Sequence, residues 1–223
     1  FLNPKLRDEL PDPSTLLDMN KAVDRVIEAL VKNQKIAVFG DYDVDGATSS
    51  ALLKRYFGAL GFDLDIYIPD RVKEGYGPNR GAFESLLKRK AELVLTVDCG
   101  TTAYNALAFA QTAGLDVIVL DHHSSGPSVP KCAALVNPNR MDDRSGQGAL
   151  AAVGVVFLFL VALNRSLRLR GFFGDIAEPN LLSWLDLVAL GTVCDVVPLG
   201  GLNRALVRQG IRVLAKRSNL GLA

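Results

Sequence analysis

Apolar positions set the first reading of the chain. "LLDMNKAVDRVIEALVKNQ" places Leu17, Val23, Val26, Ile27 and Leu30 at helical spacing. Beyond it, short apolar runs alternate with helical stretches. "KIAVFGD" is the first run, and a helix follows from about Ala47 to Leu60. "DLDIYIPD" is the second, followed by the loop "RVKEGYGPN" and a helix to about Lys90. "ELVLTVD" is the third, with a helix from about Thr102 to Ala113, and "LDVIVLDHH" is the fourth. "AALVNPN" reads as a fifth, shorter strand. Strand-then-helix repetition predicts βαβ units with right-handed crossovers. The runs IAVF, LVLTV and VIVL are apolar throughout, as strands covered on both faces are. The expected fold class is α/β: a mostly parallel five-stranded sheet with helices on both faces. From Gly148 onward the pattern is helical, at about 149–164, 178–191 and 203–217. The proline-punctuated "FLNPKLRDELPDP" predicts an extended arm, and the polar stretch Asn139 to Gln147 predicts a link between sheet half and helical half.

Composition narrows the class. The chain has 223 residues, 49% of them hydrophobic, which supports one α/β domain with a large core and a helical annex. The formal net charge is +1, so contact with nucleic acid would have to come from a local patch. Cys99, Cys132 and Cys194 are too scattered for a disulfide framework and fit a reducing, cytoplasmic setting. The longest apolar stretch, Ala149 to Leu163, has the length of a buried core helix, so no membrane is expected. The N-terminus does not read as a signal peptide. The chain starts at Phe1 and ends in "SNLGLA" just after a predicted helix, which suggests a piece of something longer.

The candidate chemistry lies at the strand ends. In an open parallel sheet, ligands bind beyond the carboxyl ends of the strands. The first strand runs into Asp41, Asp43 and Asp45, the third into Asp98, and the fourth into Asp121, His122 and His123. One rim therefore gathers five aspartates and both histidines of the chain. Taken singly, Asp45 and Asp98 are ordinary helix N-caps, and a His-His pair is ordinary surface. Taken together they call for positive charge. Carboxylates with one or two imidazoles suit Mn²⁺ or Mg²⁺, and there are enough ligands for two ions. Ion pairs roughly 3.5–4 Å apart serve phosphoester hydrolysis. Gly46 and Gly100 stand at strand-to-helix turns, where backbone N–H groups are expected to approach an anion. Asp195, in "GTVCDVVPL", is placed to reach the same rim from the helical half. Cys99 and Cys194 adjoin these acids, but the CxxC spacing of a zinc site is absent and both read as small packing residues. No G-x-G-x-x-G follows the first strand.

"FGDYDVDGATS", "TVDCGTT", "LDHH" and "LVALGTVCDVVPL" resemble, in order, the four motifs of the DHH phosphoesterase superfamily. Within it the chain most resembles the RecJ exonuclease family, with support from "FLNPKL", "IPDRVKEGYG", "VNPNR" and "AAVGVVFLFL". The resemblance covers essentially the whole chain. It implies a two-metal phosphodiesterase using Mn²⁺ or Mg²⁺ that removes nucleotides from single-stranded DNA in the 5′ to 3′ direction, in DNA repair and recombination. Matched motif by motif, Asp43, Asp45, His122 and Asp195 are implied metal ligands, and Asp41 a ligand or near-ligand. Asp98 is the implied bridging carboxylate. His123 stands near the metals or the scissile phosphate, and Asp121 orients a histidine from behind. His122, His123 and Asp98 are thus the implied catalytic set. Implied partners are a repair helicase or a single-strand-binding protein. The family carries a further DHH-associated domain and DNA-binding parts after this region. The implied division is an arm and helix over 1–35, the catalytic domain over 36–200, and a helix over 201–223 leading to those C-terminal domains. Two alternatives stand beside it. Other hydrolases of the superfamily, such as manganese pyrophosphatases and nanoRNA or cyclic-dinucleotide phosphodiesterases, carry a histidine shortly before the first acids, where this chain has Phe39. An inactive replication scaffold would have lost ligands that this chain retains.

Basic residues supply candidate DNA contacts. Arg204, Arg208, Arg212 and Lys216 recur every four residues on the last predicted helix, which is more commonly the pattern of a solvated face. Arg71, Lys73 and Arg80 flank the Gly-rich loop near the predicted active edge. Tyr42 and Tyr76 are candidates for stacking on a base, or for packing at the rim.

Overall fold

The computed structural model describes residues 3–223; Phe1 and Leu2, the start of the expected arm, lie outside them. The helices are α1 (Leu6–Glu9), α2 (Met19–Val31), α3 (Val44–Ala59), α4 (Arg80–Lys88), α5 (Tyr104–Thr112), α6 (Ala152–Leu169), α7 (Leu185–Cys194) and α8 (Gly201–Leu214). The strands are β1 (Ile36–Gly40), β2 (Asp65–Tyr67), β3 (Leu93–Val97), β4 (Asp116–Leu120) and β5 (Ala134–Val136). They form one sheet in the order β2-β1-β3-β4-β5, and every pairing is parallel.

Alternate residues of each strand feed two cores, because successive side chains leave a strand on opposite faces. Ile36, Val38, Leu93, Leu95, Ile118 and Leu120 join the larger core, with α2, α3, α6 and α7. Ala37, Phe39, Val94, Val117 and Val119 face the smaller one, with α4 and α5. The connections through α3, leaving β1, and through α5, leaving β3, therefore run on opposite faces. The crevice where they diverge opens between the carboxyl ends of β1 and β3.

The register aligns those ends. Gly40 pairs with Val97, Val97 with Leu120, and Leu120 with Val136. The next residue of each strand is thus Asp41, Asp98, Asp121 and Asn137, side by side. The ladder continues into this row: the Asp41 amide donates to Val97 at 3.3 Å, and the Asp98 and Asp121 amides donate to Leu120 and Val136 at 3.1 Å.

Helix α6 has the length and composition of a membrane span, but 72% of it is buried inside the fold. It is apolar nearly all round because it is covered nearly all round. The expected extended arm is instead folded. Leu6 and Leu10 pack on the larger core, and Pro13–Thr15 form a 3₁₀ turn capped by Asp12. Leu17 lies ahead of α2 and is exposed; Met19 and Ala22 take its place in the core. The polar link, Asn139 to Gln147, does join β5 to α6, and it is anchored at two points. Arg140 and Asp143 are buried there, and Arg140 donates to Asp18 at 2.9 Å and to the Leu135 carbonyl at 2.7 Å. The pattern expected as one helix over 178–191 begins as a 3₁₀ turn, Leu181–Trp184, before α7.

Helices α7 and α8 cross closely at Gly210. A Cβ there would stand 2.5 Å from the Ala189 methyl and 2.9 Å from the Leu185 carbonyl carbon. Gly210→Val is expected to destabilise the domain by about 1–3 kcal/mol through overpacking. Urea denaturation followed by circular dichroism checks this, and an unchanged midpoint would contradict the crossing.

Candidate metal centre

The first acids are set by the start of α3. Asp43 caps that helix, its Oδ1 accepting the Gly46 amide at 2.9 Å. The helix begins at Val44, three residues before the predicted start, because the cap is Asp43 and not Asp45. Asp45 lies in the first turn and is buried, and its two oxygens accept the amides of Ala152 at 2.6 Å and Val153 at 2.9 Å. These are the first amides of α6, so the carboxylate sits at a helix N-terminus, where negative charge is favoured. Gly46 passes so close to Asp41 that a Cβ would lie 2.7 Å from its backbone nitrogen.

The anion sites expected at Gly46 and Gly100 are filled from within. The Gly46 amide serves Asp43, and the Thr101 amide donates to Asp121 Oδ2 at 2.9 Å. Nor does Asp98 cap a helix, since α5 starts six residues later. Its backbone is left-handed, with φ of 61°, a region that costs a non-glycine residue free energy and clusters at functional sites.

His122 is the centre of the arrangement. Its Nδ1 lies 3.0 Å from the Leu150 carbonyl oxygen, which only accepts, so Nδ1 carries the proton and Nε2 presents a lone pair. That Nε2 faces Asp98 Oδ1 at 3.3 Å, Asp195 Oδ2 at 3.6 Å and Asp45 Oδ2 at 4.0 Å. Asp98 Oδ1, Asp195 Oδ2, Asp41 Oδ1 and His122 Nε2 are buried with no hydrogen-bond partner among the described residues. Three ligand sets lie each within 4.8 Å: Asp45–His122–Asp195, Asp98–His122–His123 and Asp41–Asp43–Asp98. Asp98 and His122 each belong to two of them. Asp41, Asp43, Asp45, Asp98 and Asp195 are thus brought together with His122 and His123.

Asp121 is different. Its Oδ1 accepts the amides of His122 at 2.7 Å and His123 at 3.2 Å, and His123 Nδ1 at 2.7 Å. It faces away from the ligand sets and holds the histidines from behind.

Burial pushes the carboxyls of Asp41, Asp45, Asp98 and Asp195 upward, Asp45 to about 6. For Asp98 the neighbouring charges of Asp45 and Asp43 add to burial. Burial also opposes the Asp121 charge, but the hydrogen bonds from His123 and Thr101 prevail and hold its carboxyl down at about 2. The hydrogen bond to Asp121 raises His123. Two like charges 4 Å apart repel by about 4 kcal/mol at an effective dielectric constant of 20. A divalent cation among them would offset that repulsion. The orphaned oxygens and the imidazole lone pair fit a hard divalent ion such as Mn²⁺ or Mg²⁺. Neither adjoining thiol contributes: Cys99 is buried and donates to the Val97 carbonyl, whereas Cys194, expected to pack, is exposed.

Residues 35–192 match the family model described as DHH family, N-terminal domain. The chain belongs to the DHH family. A DHH relative from Haemophilus influenzae, the single-stranded-DNA-specific exonuclease RecJ, is 39% identical over 213 residues, 95% of this chain and 37% of its own length. The crystal structure of exonuclease RecJ bound to manganese matches with a TM-score of 0.80 and 38% identity, covering 93% of this chain and 50% of that one. RecJ from Thermus thermophilus in complex with Mn²⁺ matches at 0.76 and 36%, covering 93% and 28%. This DHH chain spans half or less of each.

The candidate DNA contacts divide by distance. Tyr76 reaches the centre, its hydroxyl donating to the Asp98 carbonyl at 3.1 Å and lying 3.3 Å from His123 Nε2. Arg71 stacks over Tyr42, 5.3 Å from the ring centroid. Lys73 pairs with Asp70 at 3.6 Å, and Arg80 with Glu84 at 2.8 Å while covering Phe109. On α8 the basic residues are spread along the helix. Arg204 is half-buried, Arg208 is engaged by Asn3 and the Pro4 carbonyl, and exposed Arg212 lies roughly 16 Å along the helix from its start. Sequence reading passed over Asn137, Asn139, the Leu150 carbonyl and the first amides of α6. Only the asparagines left a signal, as polar residues directly after the fifth strand.

The raised acids set a pH dependence. An unfolded aspartate titrates near 3.8 and Asp45 near 6 in the fold. Between these values the native state binds more protons, so metal-free stability falls as pH rises through that window. Raised His123 acts in the same direction above its ordinary 6.5. The chelator-treated protein is expected to melt at a lower temperature at pH 7.5 than at pH 5.5, and Mn²⁺ to raise Tm more at pH 7.5. Calorimetry at both values checks this; equal Mn²⁺ effects would contradict it.

Proposed function

We propose that this chain is the catalytic part of a metal-dependent phosphodiesterase that digests single-stranded DNA from the 5′ end and releases 5′ mononucleotides, in DNA repair and recombination. The observation that carries the reading is His122 Nε2, buried without a partner among three carboxylates at the crevice between β1 and β3. The similarity to exonucleases named for single-stranded DNA supports the substrate. The polarity follows from the family resemblance.

In this reading Asp41, Asp43, Asp45, Asp98, His122 and Asp195 would hold two Mn²⁺ or Mg²⁺ ions, and Asp98 would serve both. Bound ions would supply Lewis-acid stabilisation of the attacking and leaving oxygens. The chain's own residues do the rest. The Leu150 carbonyl keeps the His122 proton on Nδ1 and so keeps Nε2 free to ligate. Asp121 holds His123 Nδ1 and leaves the half-exposed ring directed at the space a scissile phosphate would enter. Arg71 and Tyr76, on one loop above the site, grip the strand, with Tyr42, Lys73 and Arg80 beside them. The α8 arginines are its more distant contacts. A helicase or single-strand-binding protein would present the strand in the cytoplasm. C-terminal domains like those of the longer relatives would close the cleft.

The test is Mn²⁺-dependent digestion of 5′-phosphorylated single-stranded and duplex DNA of one sequence. Mononucleotides are expected from the single strand only, with a loss of more than about 100-fold for His122→Ala. Equal digestion of duplex, or an undiminished His122→Ala rate, would overturn the reading. Intact Mn²⁺ binding without digestion, even in a chain joined to C-terminal domains like those of the longer relatives, would overturn the substrate and leave another phosphoester in its place.

A further inference from the structure

Two asparagines lie beneath the histidines, and neither is among the proposed ligands. Asn137 is fully buried and is the fourth member of the row formed by Asp41, Asp98 and Asp121. Its Nδ2 donates to Thr101 Oγ1 at 2.7 Å and to the His123 carbonyl at 2.8 Å, and its Oδ1 accepts the Asn139 amide at 2.8 Å. Asn139 Nδ2 donates to the His122 carbonyl at 2.5 Å and to the Gly148 carbonyl at 3.0 Å. Each histidine thus has its carbonyl held by an asparagine and its amide held by Asp121. Because peptide groups are planar, pinning the groups on both sides of a Cα fixes the direction of its side chain. The second Asn139 bond reaches further. Gly148 begins the short segment whose Leu150 carbonyl takes the His122 ring proton. Asn139 therefore sets both the backbone of His122 and the acceptor that orients its ring.

We propose that Asn137 and Asn139 are positioning residues of the metal centre, holding the two histidines in ligating geometry from behind. The inference rests on the metal reading of the site. Each asparagine supplies two N–H donors from a single nitrogen. Aspartate has the same shape and no such donor, and would set a carboxylate oxygen against a carbonyl oxygen.

The test is Asn137→Asp and Asn139→Asp in the 223-residue chain. Mn²⁺ affinity is measured by calorimetry and digestion is resolved into kcat and KM. Residues that orient metal ligands are expected to cost about 10–100-fold in affinity when removed. The expected pattern is that loss together with reduced kcat, a nearly unchanged KM and an unchanged circular dichroism spectrum. Gly148→Ala gives an independent arm that keeps both asparagines. Its Cβ would stand 3.5 Å from Asn139 Cγ and closer still to Oδ1, so it presses on the same amide. It is expected to weaken Mn²⁺ in the same direction, and it stands in for an aspartate variant that does not fold. Wild-type Mn²⁺ affinity in folded Asn139→Asp and Gly148→Ala would overturn the proposal. Mn²⁺ binding by a chain that leaves DNA intact even when joined to those C-terminal domains would end the substrate reading alone. A chain that binds no Mn²⁺ would end both.

Discussion

Repulsion among buried carboxylates is the constraint around which this protein is arranged. Asp41, Asp45, Asp98 and Asp195 are brought out of bulk water and against one another, and among the described residues the charges that lower their carboxyls are histidines, with no lysine or arginine ion pair to any of them. An ion pair with a side chain would satisfy the charges and close the site. Leaving them around an imidazole lone pair keeps room for cations. The cost is borne by packing elsewhere, in two cores and in helices such as α6 that are buried along most of their length.

The scaffold manages that repulsion with backbone groups. Asp45 accepts two amides at the start of α6, Asp43 accepts the Gly46 amide, and Asp121 accepts three. Fixed N–H dipoles reduce the cost of each charge without supplying a counter-ion that a metal would have to displace. The register of the sheet is the other half of the device. Because Gly40, Val97, Leu120 and Val136 are level, the residues after them form a row at strand spacing. A slip of one residue in any strand would turn its acid to the opposite face.

Much of this was legible in the chain. Uniformly apolar runs separated by helical stretches suffice for a parallel sheet covered on both faces, because only βαβ connection satisfies both patterns. Parallel strands share a direction, so acids at the ends of the first, third and fourth runs had to share an edge. That inference needed no coordinates, and it brought Asp98, His122 and the acids after β1 together. The errors lay where local pattern and tertiary contact disagree. "FLNPKLRDELPDP" reads as an arm because its prolines interrupt any long period, yet Leu6 and Leu10 find the core. Asn139 to Gln147 reads as a linker because it is polar, and it is one; its polarity did not announce that Arg140 is buried with Asp18 and a carbonyl for partners.

The sequence by itself determined the fold class, the edge that carries the chemistry and the identity of the acids and imidazoles there. Those follow from periodicity and from the single direction of parallel strands. Only the tertiary structure decided which atom of each residue faces the centre. His122 ligates through Nε2 in the proposed reading because a carbonyl 28 residues away takes its other proton. Asp121 is withdrawn from the ligand sets because three amides and a ring nitrogen claim it. Arg208, periodic with its neighbours in sequence, is engaged by Asn3 and the Pro4 carbonyl of the N-terminal segment. Hydrogen bonds between distant segments have no period, so no pattern along the chain announces them.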